Sequence, residues 1–389
     1  MRDKGNDMPM SFFRALQILC AAVSLAFVQA SPLEPRQCAA TLDLASVVAH
    51  RLQDHYYNPS SGGYTGGSLW TDANTFEDLH NLMLASGSND FSSIADGTFL
   101  GRAALNPSTN WNNFIGGSFD DAQWFILALW KIADFKGARG LDNSAYLTSA
   151  AKIYDIIANQ WDDHCGGGVW WSSARTYKNA ITNELFLLTS ASGFLRNRQL
   201  TNYLDNATKV WNWLKGSGMR NADGLFNDGI DFNTCANNGQ TTWTYNQGVI
   251  ASGLGALFAA TGDRTLLDEA EITLDATIRH LSTNNILRES CDNAASGGPV
   301  CNQDQQIFKG IWTKHLQYYL DTANDASRTA KYAAFLGSQS SGVLHFGTSA
   351  SKDVGSVWYA PDQGGSIFTP KTSASGLAAH VAAAKYAPC

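Results

Sequence analysis

The chain has 389 residues, 44% of them hydrophobic and 16% charged, with a formal net charge of −7. That length holds one large domain or two ordinary ones, and the composition is that of a globular protein. The negative balance supplies no basic face, so a nucleic-acid partner is excluded, while 12 Trp, 13 Tyr and 19 Phe make aromatic surface plentiful.

The first 30 residues read as a secretory leader. Arg2, Lys4 and Arg14 precede an apolar stretch from Ala15 to Phe27, and Val28-Gln29-Ala30 offers small residues to a signal peptidase. The stretch is short for a bilayer span, and no later run is long enough for one. The last residues, AAAKYAPC, lack the hydrophobic tail of a glycolipid-anchor signal. Residues 31–389 are therefore expected to form a secreted, soluble, monomeric protein outside the cell or in the cell wall.

Cys20 leaves with the leader, and Cys38, Cys165, Cys235, Cys291, Cys301 and Cys389 remain. An even number in an oxidising compartment suggests three disulfides. Cys291 and Cys301 flank one loop and form the natural local pair. Among the other four the pairing is open; joining Cys38 to Cys389 would tie the ends together. No cysteine pair has metal-finger spacing. One glycosylation sequon, Asn206-Ala207-Thr208, is expected on an exposed helix surface.

From residue 39 onward, twelve amphipathic or apolar stretches predict helices, and no run of alternating strands is evident. The more polar ones fall at 39–57, 92–105, 142–161, 198–216, 264–282 and 326–338. The more apolar ones fall at 72–85, 118–136, 177–196, 243–261, 304–323 and 373–386. A helix apolar all round belongs inside, and one with a polar face belongs outside. Six polar–apolar hairpins predict an all-α (α/α)6 barrel of six inner and six outer helices, a single domain over residues 31–389. Glycine- and aromatic-bearing loops recur between the helices at a spacing of roughly 50 to 60 residues. They lead into the inner helices and would form a cup lined by Tyr64, Trp70, Trp111, Trp170, Trp171, Phe226, Trp243, Tyr245 and Trp358. Flat aromatic faces stack on sugar rings.

The stretch GGSFDDAQWF, residues 116–125, opens one apolar helix with two adjacent aspartates. Ser118 and Asp121 have the spacing of a capping box, and acids in a first turn are favoured by the helix dipole. Capping accounts for one aspartate better than two, and it leaves Gly116 and Gly117 unexplained. Acid/base chemistry accounts for both carboxyls. Neighbours on a helix point about 100° apart, and retaining glycosidases need two carboxyls roughly 5–5.5 Å from each other. The helix N-terminus would keep one ionised, and repulsion with partial burial would raise the other's pKa. A second pair, Asp162-Asp163, sits at a helix end where the dipole disfavours acids, and reads as a rim pair. No phosphate loop, serine elbow, zinc-protease motif or C-x-x-C is present, and His164 alone lies near the cup.

Five motifs in this order, FDDAQWFILAL, GGGVWW, KNAITNELF, WTYNQG and FKGIWTKHL, resemble glycoside hydrolase family 76, the endo-α-1,6-mannanases and their fungal wall relatives. The resemblance covers nearly all of residues 31–389 and implies an (α/α)6 fold and retaining cleavage of α-1,6-linked mannan. It implies Asp120 as nucleophile and Asp121 as general acid/base. By the same motifs, Trp170 and Trp171 would stack on sugar, while Lys178, Asn179, Asp228, Tyr245, Asn246 and Gln247 would bind hydroxyls. No metal or organic cofactor is implied. The alternatives are a wall mannan transglycosidase with the same first step, and a mannan-binding wall protein without turnover. An (α/α)6 cyclase or epimerase would call for metal ligands or paired histidines in the cup.

Overall fold

The computed structural model describes residues 37–293, 295, 297–361 and 365–389; the expected leader lies outside them. In chain order the first helices are α1 (Ala39–Tyr56), α2 (Leu69–Ser86), α3 (Ile94–Gly97), α4 (Phe99–Leu105), α5 (Trp111–Phe114), α6 (Phe119–Gly137) and α7 (Ser144–Ala158). They are followed by α8 (Ala180–Arg196), α9 (Thr201–Gly216), α10 (Thr244–Thr261), α11 (Thr265–His280), α12 (Phe308–Ala323), α13 (Ala326–Gly342) and α14 (Pro370–Tyr386).

The apolar stretches became α2, α6, α8, α10, α12 and α14, which close a ring: each packs on the next, and α14 returns to α2. Residues 122–130 of α6 and 244–257 of α10 are buried without interruption, as positions inside a double-walled barrel must be. The amphipathic helices α1, α7, α9, α11 and α13 cover the ring, and the fold is an (α/α)6 barrel. Among the described residues no helix is long and apolar enough to cross a membrane.

The packing reverses three of the expected hairpins, while α13 packs on α14 as expected. α7 lies against the preceding α6, α9 against α8 and α11 against α10. For these three, loop length is the reason, because a short connection favours an antiparallel neighbour. Connections out of inner helices are short, as at 138–143 and 197–200, whereas those into inner helices, such as 159–179 and 217–243, are long. The long ones gather at the N-terminal ends of the inner helices and build the mouth of the barrel. α1 closes the outer layer against α14, and the Cys38–Cys389 disulfide holds the two ends 5.1 Å apart at Cα. Cys165–Cys235 joins the mouth loops 159–179 and 217–243, and Cys291–Cys301 staples the loop between α11 and α12.

Three local expectations changed. The helix read at 92–105 breaks at Thr98, whose Oγ1 accepts the Gly101 N–H at 3.0 Å and starts α4. The mouth loops contain three two-residue antiparallel pairs: β1 (Tyr57–Asn58) with β2 (Gly63–Tyr64), β3 (Lys178–Asn179) with β4 (Gly229–Ile230), and β5 (Ser282–Thr283) with β6 (Ile286–Leu287). Segments that short carry no alternating pattern to read. Asn206 is half-buried in α9, and its Nδ2 donates to Tyr154 Oη at 3.0 Å, so the sequon asparagine is engaged rather than free on the surface.

Candidate active site

The glycine pair before α6 explains how the aspartates acquire a partner. Gly116 and Gly117 have φ of +63° and +81°, a region glycine enters without penalty. A Cβ on Gly117 would lie 2.5 Å from Ser173 Oγ. The bare backbone instead lets residues 171–173 pair with 117–119: Ser173 N–H donates to Gly117 O at 2.9 Å, and Phe119 N–H to Trp171 O at 2.9 Å. This pairing brings Trp171 beside the start of α6, where its Nε1–H donates to Asp120 Oδ2 at 3.0 Å.

Ser118 stands at the N-cap of α6 but makes no side-chain cap bond; its hydroxyl donates to Asp120 Oδ1 at 3.1 Å. The capping-box reading therefore does not describe this turn. Both oxygens of Asp120 accept from side-chain donors, and backbone amides at the helix start add to them. Burial pushes the Asp120 pKa up, and these donors limit the rise to about 6. Asp121 sits in a different field. Burial pushes it up as well, the charges of Asp120 and Asp304 add to the effect, and its pKa reaches about 8. The donors on Asp120 favour its ionised form, whereas burial and the charges of Asp120 and Asp304 favour the protonated form of Asp121.

A cavity of about 530 Å³ opens over the pair. On the α8 flank of α6 it is lined by Trp171, Tyr177, Asn179 and Asp228. Tyr177 Oη donates to Asp228 Oδ2 at 2.6 Å and accepts from Asn238 Nδ2 at 2.9 Å, which fixes Asp228 in the lining. Burial raises the Asp228 pKa. On the α2 flank the lining is Ser68, Trp70, Trp124 and Asp304, with the Trp70 Nε1–H donating to Asp304 Oδ1 at 3.1 Å. Trp243 and Tyr245 reach the cavity from the start of α10, and the Tyr245 ring stacks on Phe308 at 3.8 Å with an 8° interplanar angle.

Of the residues named from sequence, Asp120, Asp121, Trp171, Asn179, Asp228 and Tyr245 line this cavity, as do Trp70 and Trp243 of the expected cup. Trp170, Lys178, Asn246 and Gln247 do not. In the extended segments before α8, successive side chains alternate in direction, so Trp171, Tyr177 and Asn179 face the cavity while Trp170 and Lys178 face the protein. Lys178 is 2% exposed, and its Nζ donates at 2.7 Å to Asp162 Oδ1, His164 O and Gly167 O. Trp170 Nε1–H donates to Asp162 Oδ2 at 2.6 Å, so Asp162 of the second aspartate pair holds the loop, and neither member of that pair lines the cavity. Gln247 bridges the backbone of Phe226 and Trp243, and Asn246 is fully buried. Tyr64, Trp111, Phe226 and Trp358 are also buried and pack the barrel instead of lining the cup. Sequence reading missed Tyr177, Trp124, Phe308 and Asp304. Tyr177 adjoins a quoted motif, but Asp304, read as the first residue of the helix at 304–323, lies in the loop before α12, and no motif marked it as a site residue.

Fold and cavity together place the chain among (α/α)6-barrel proteins with a carboxyl-bearing, aromatic-walled cleft at the mouth. Within that class it belongs to glycosyl hydrolase family 76, which matches residues 41–385. It is 28% identical to the mannan endo-1,6-alpha-mannosidase DCW1 of Candida glabrata over 328 residues, 78% of this chain and 70% of that protein. It is 27% identical to the mannan endo-1,6-alpha-mannosidase DFG5 of Saccharomyces cerevisiae over 308 residues, 73% of this chain and 63% of that one. The fold is shared with an inactive α-1,6-mannanase variant of Salegentibacter in complex with α-1,6-mannotriose, at TM-score 0.74 and 19% identity over 88% of this chain and 99% of that one. It is shared also with Dfg5 of Chaetomium thermophilum in complex with glucosamine, at TM-score 0.72 and 17% identity over 90% and 91%.

Proposed function

We propose that this protein is a secreted mannan endo-1,6-α-mannosidase that cleaves with net retention. The observation that carries the reading is the unequal setting of two adjacent carboxyls: Asp120 accepts hydrogen bonds from Trp171 and Ser118, which favour its carboxylate, while Asp121 is buried beside the charges of Asp120 and Asp304, which favour its protonated form. The relatives' names supply the sugar and the linkage. The Salegentibacter variants described as inactive carry substitutions at two adjacent aspartates and are complexed with α-1,6-mannotriose and α-1,6-mannotetraose.

In this mechanism Asp120 attacks the anomeric carbon and the glycosidic oxygen departs with the proton of Asp121. Asp121, now a base, takes a proton from water as that water displaces Asp120 from the anomeric carbon, which restores both groups. Trp171, Asn179 and Asp228 hold the sugar whose bond is broken. Residues 1–30 act as the leader, and one catalytic domain follows.

The test mixes purified protein with unbranched α-1,6-mannan and follows product size and anomeric configuration by NMR. Short oligosaccharides born in the α configuration are expected, and Asp120→Asn should abolish their release. Products born β, or wild-type rates from Asp120→Asn, would overturn the reading.

A further inference from the structure

Asp120 and Asp121 share a helix but look toward different neighbours. α6 lies between α8 and α2 in the inner ring. Asp120 is bound by Trp171, from the segment that leads into α8. Asp121 lies in the field of Asp304, and Asp304 is fixed by Trp70 of α2. Trp124, three residues beyond Asp121 and so on the same face of α6, stacks on Trp70 at 6.0 Å with a 29° interplanar angle. Asp304 is exposed in the cavity lining, and among the described residues its Oδ2 accepts no hydrogen bond. The flank of Asp121 thus carries its own anchored carboxylate with an open acceptor oxygen, separate from the Trp171–Tyr177–Asp228 flank.

We propose that Asp304, positioned by Trp70, binds the sugar that departs from Asp121 and, in the return step, seats a sugar hydroxyl that competes with water for the glycosyl-enzyme. The assignment rests on the retaining reading given above. The chemistry selects the flank. The bond from the anomeric carbon to the departing oxygen breaks as that oxygen takes the proton of Asp121, so the sugar attached to it must lie beside Asp121. In the return step an acceptor hydroxyl gives its proton to Asp121, its oxygen bonds to the anomeric carbon, and the bond to Asp120 breaks. Water needs no wall to occupy that place. A sugar does, and a carboxylate oxygen is a strong acceptor for its hydroxyls.

The experiment compares α-1,6-mannotetraose with α-1,6-mannobiosyl fluoride, whose leaving group has no ring, each at the variant's own pH optimum. Asp304→Asn removes the charge, and Trp70→Phe removes the anchoring N–H while keeping a ring. For both variants, kcat/KM on mannotetraose should fall about tenfold further than on the fluoride. With added α-1,6-mannobiose as acceptor, the ratio of transfer product to hydrolysis product from the fluoride should fall as well. Equal losses on the two substrates, with an unchanged transfer ratio, would overturn the assignment while the retaining mannosidase reading stands. Wild-type protein inert on both substrates would overturn the two together.

Discussion

Replacing Trp171 by Phe isolates the hydrogen bond to Asp120, the proposed nucleophile. The ring stays, and the donor 3.0 Å from Asp120 Oδ2 is lost. Hydrogen bonds to charged groups contribute about 1.5–3 kcal/mol, but Trp171 is 42% exposed, so water screens this one and the low end applies. At about 1.4 kcal/mol per pKa unit, the loss corresponds to roughly one unit. Removing a donor destabilises the ionised form, so the pKa of Asp120 moves upward from about 6. In the proposed mechanism Asp120 attacks as a carboxylate and Asp121 donates its proton, and burial with the charges of Asp120 and Asp304 raises the Asp121 pKa to about 8. The kcat/KM profile on α-1,6-mannotetraose is therefore a bell, and Trp171→Phe should narrow it from the acid side while the alkaline limb stays in place. An acid limb that does not move, with kcat/KM falling evenly at every pH, would refute the reasoning and leave Trp171 as a sugar platform alone.

Asp121→Asn should stabilise the fold toward alkaline pH. The folded pKa of about 8 lies above the ordinary carboxyl value, so the stability linked to this proton is full in acid and is lost as pH rises through about 8. The variant's Tm in calorimetry should exceed that of wild type near pH 8 and match it near pH 4; equal curves at both would contradict the burial of this carboxyl. Lys178→Met strips three acceptors of their shared donor, so urea unfolding should show a loss of about 2–3 kcal/mol with KM for mannotetraose near the wild-type value. A large KM change with unaltered stability would return Lys178 to the sugar. Gly117→Ala forces a Cβ against Ser173 at a left-handed backbone position. It should push the Trp171 strand off α6 and raise the acid limb as Trp171→Phe does; an unchanged pH profile would show that the strand pairing does not hold the indole. Loss of the Cys38–Cys389 disulfide in the double serine variant should lower Tm without moving the pH profile, since the bond closes the outer layer and not the mouth.

Much of this protein is written in local sequence. The contrast between AQWFILALWKIADF and AYLTSAAKIYDIIANQW sorts inner from outer helices because burial of one face or of every face is a property of composition along a few turns. The ring, the mouth loops and the aspartate pair follow from that sorting and from glycine and aromatic clusters between helices. Local pattern fails where side-chain direction depends on what the backbone pairs with. Trp170 and Trp171 are equivalent letters in GGGVWW, and only the pairing of residues 171–173 with 117–119 turns one toward Asp120 and the other toward Asp162. Lys178 has the same history, since the β3–β4 register aims Asn179 at the cavity and Lys178 into the loop.

Asp304 shows the other limit. It stands in a polar loop far along the chain from Asp121, and closing the barrel brings α12 and α2 to the same mouth so that Trp70 can hold it. The ring of inner helices and the adjacent carboxyl pair that opens α6 were legible in the sequence alone, because helix formation and burial are local. The hydrogen-bond partner of each carboxyl and the set of side chains that share the cavity were decided only by the tertiary structure, because the closed ring brings donors and charges together from distant segments.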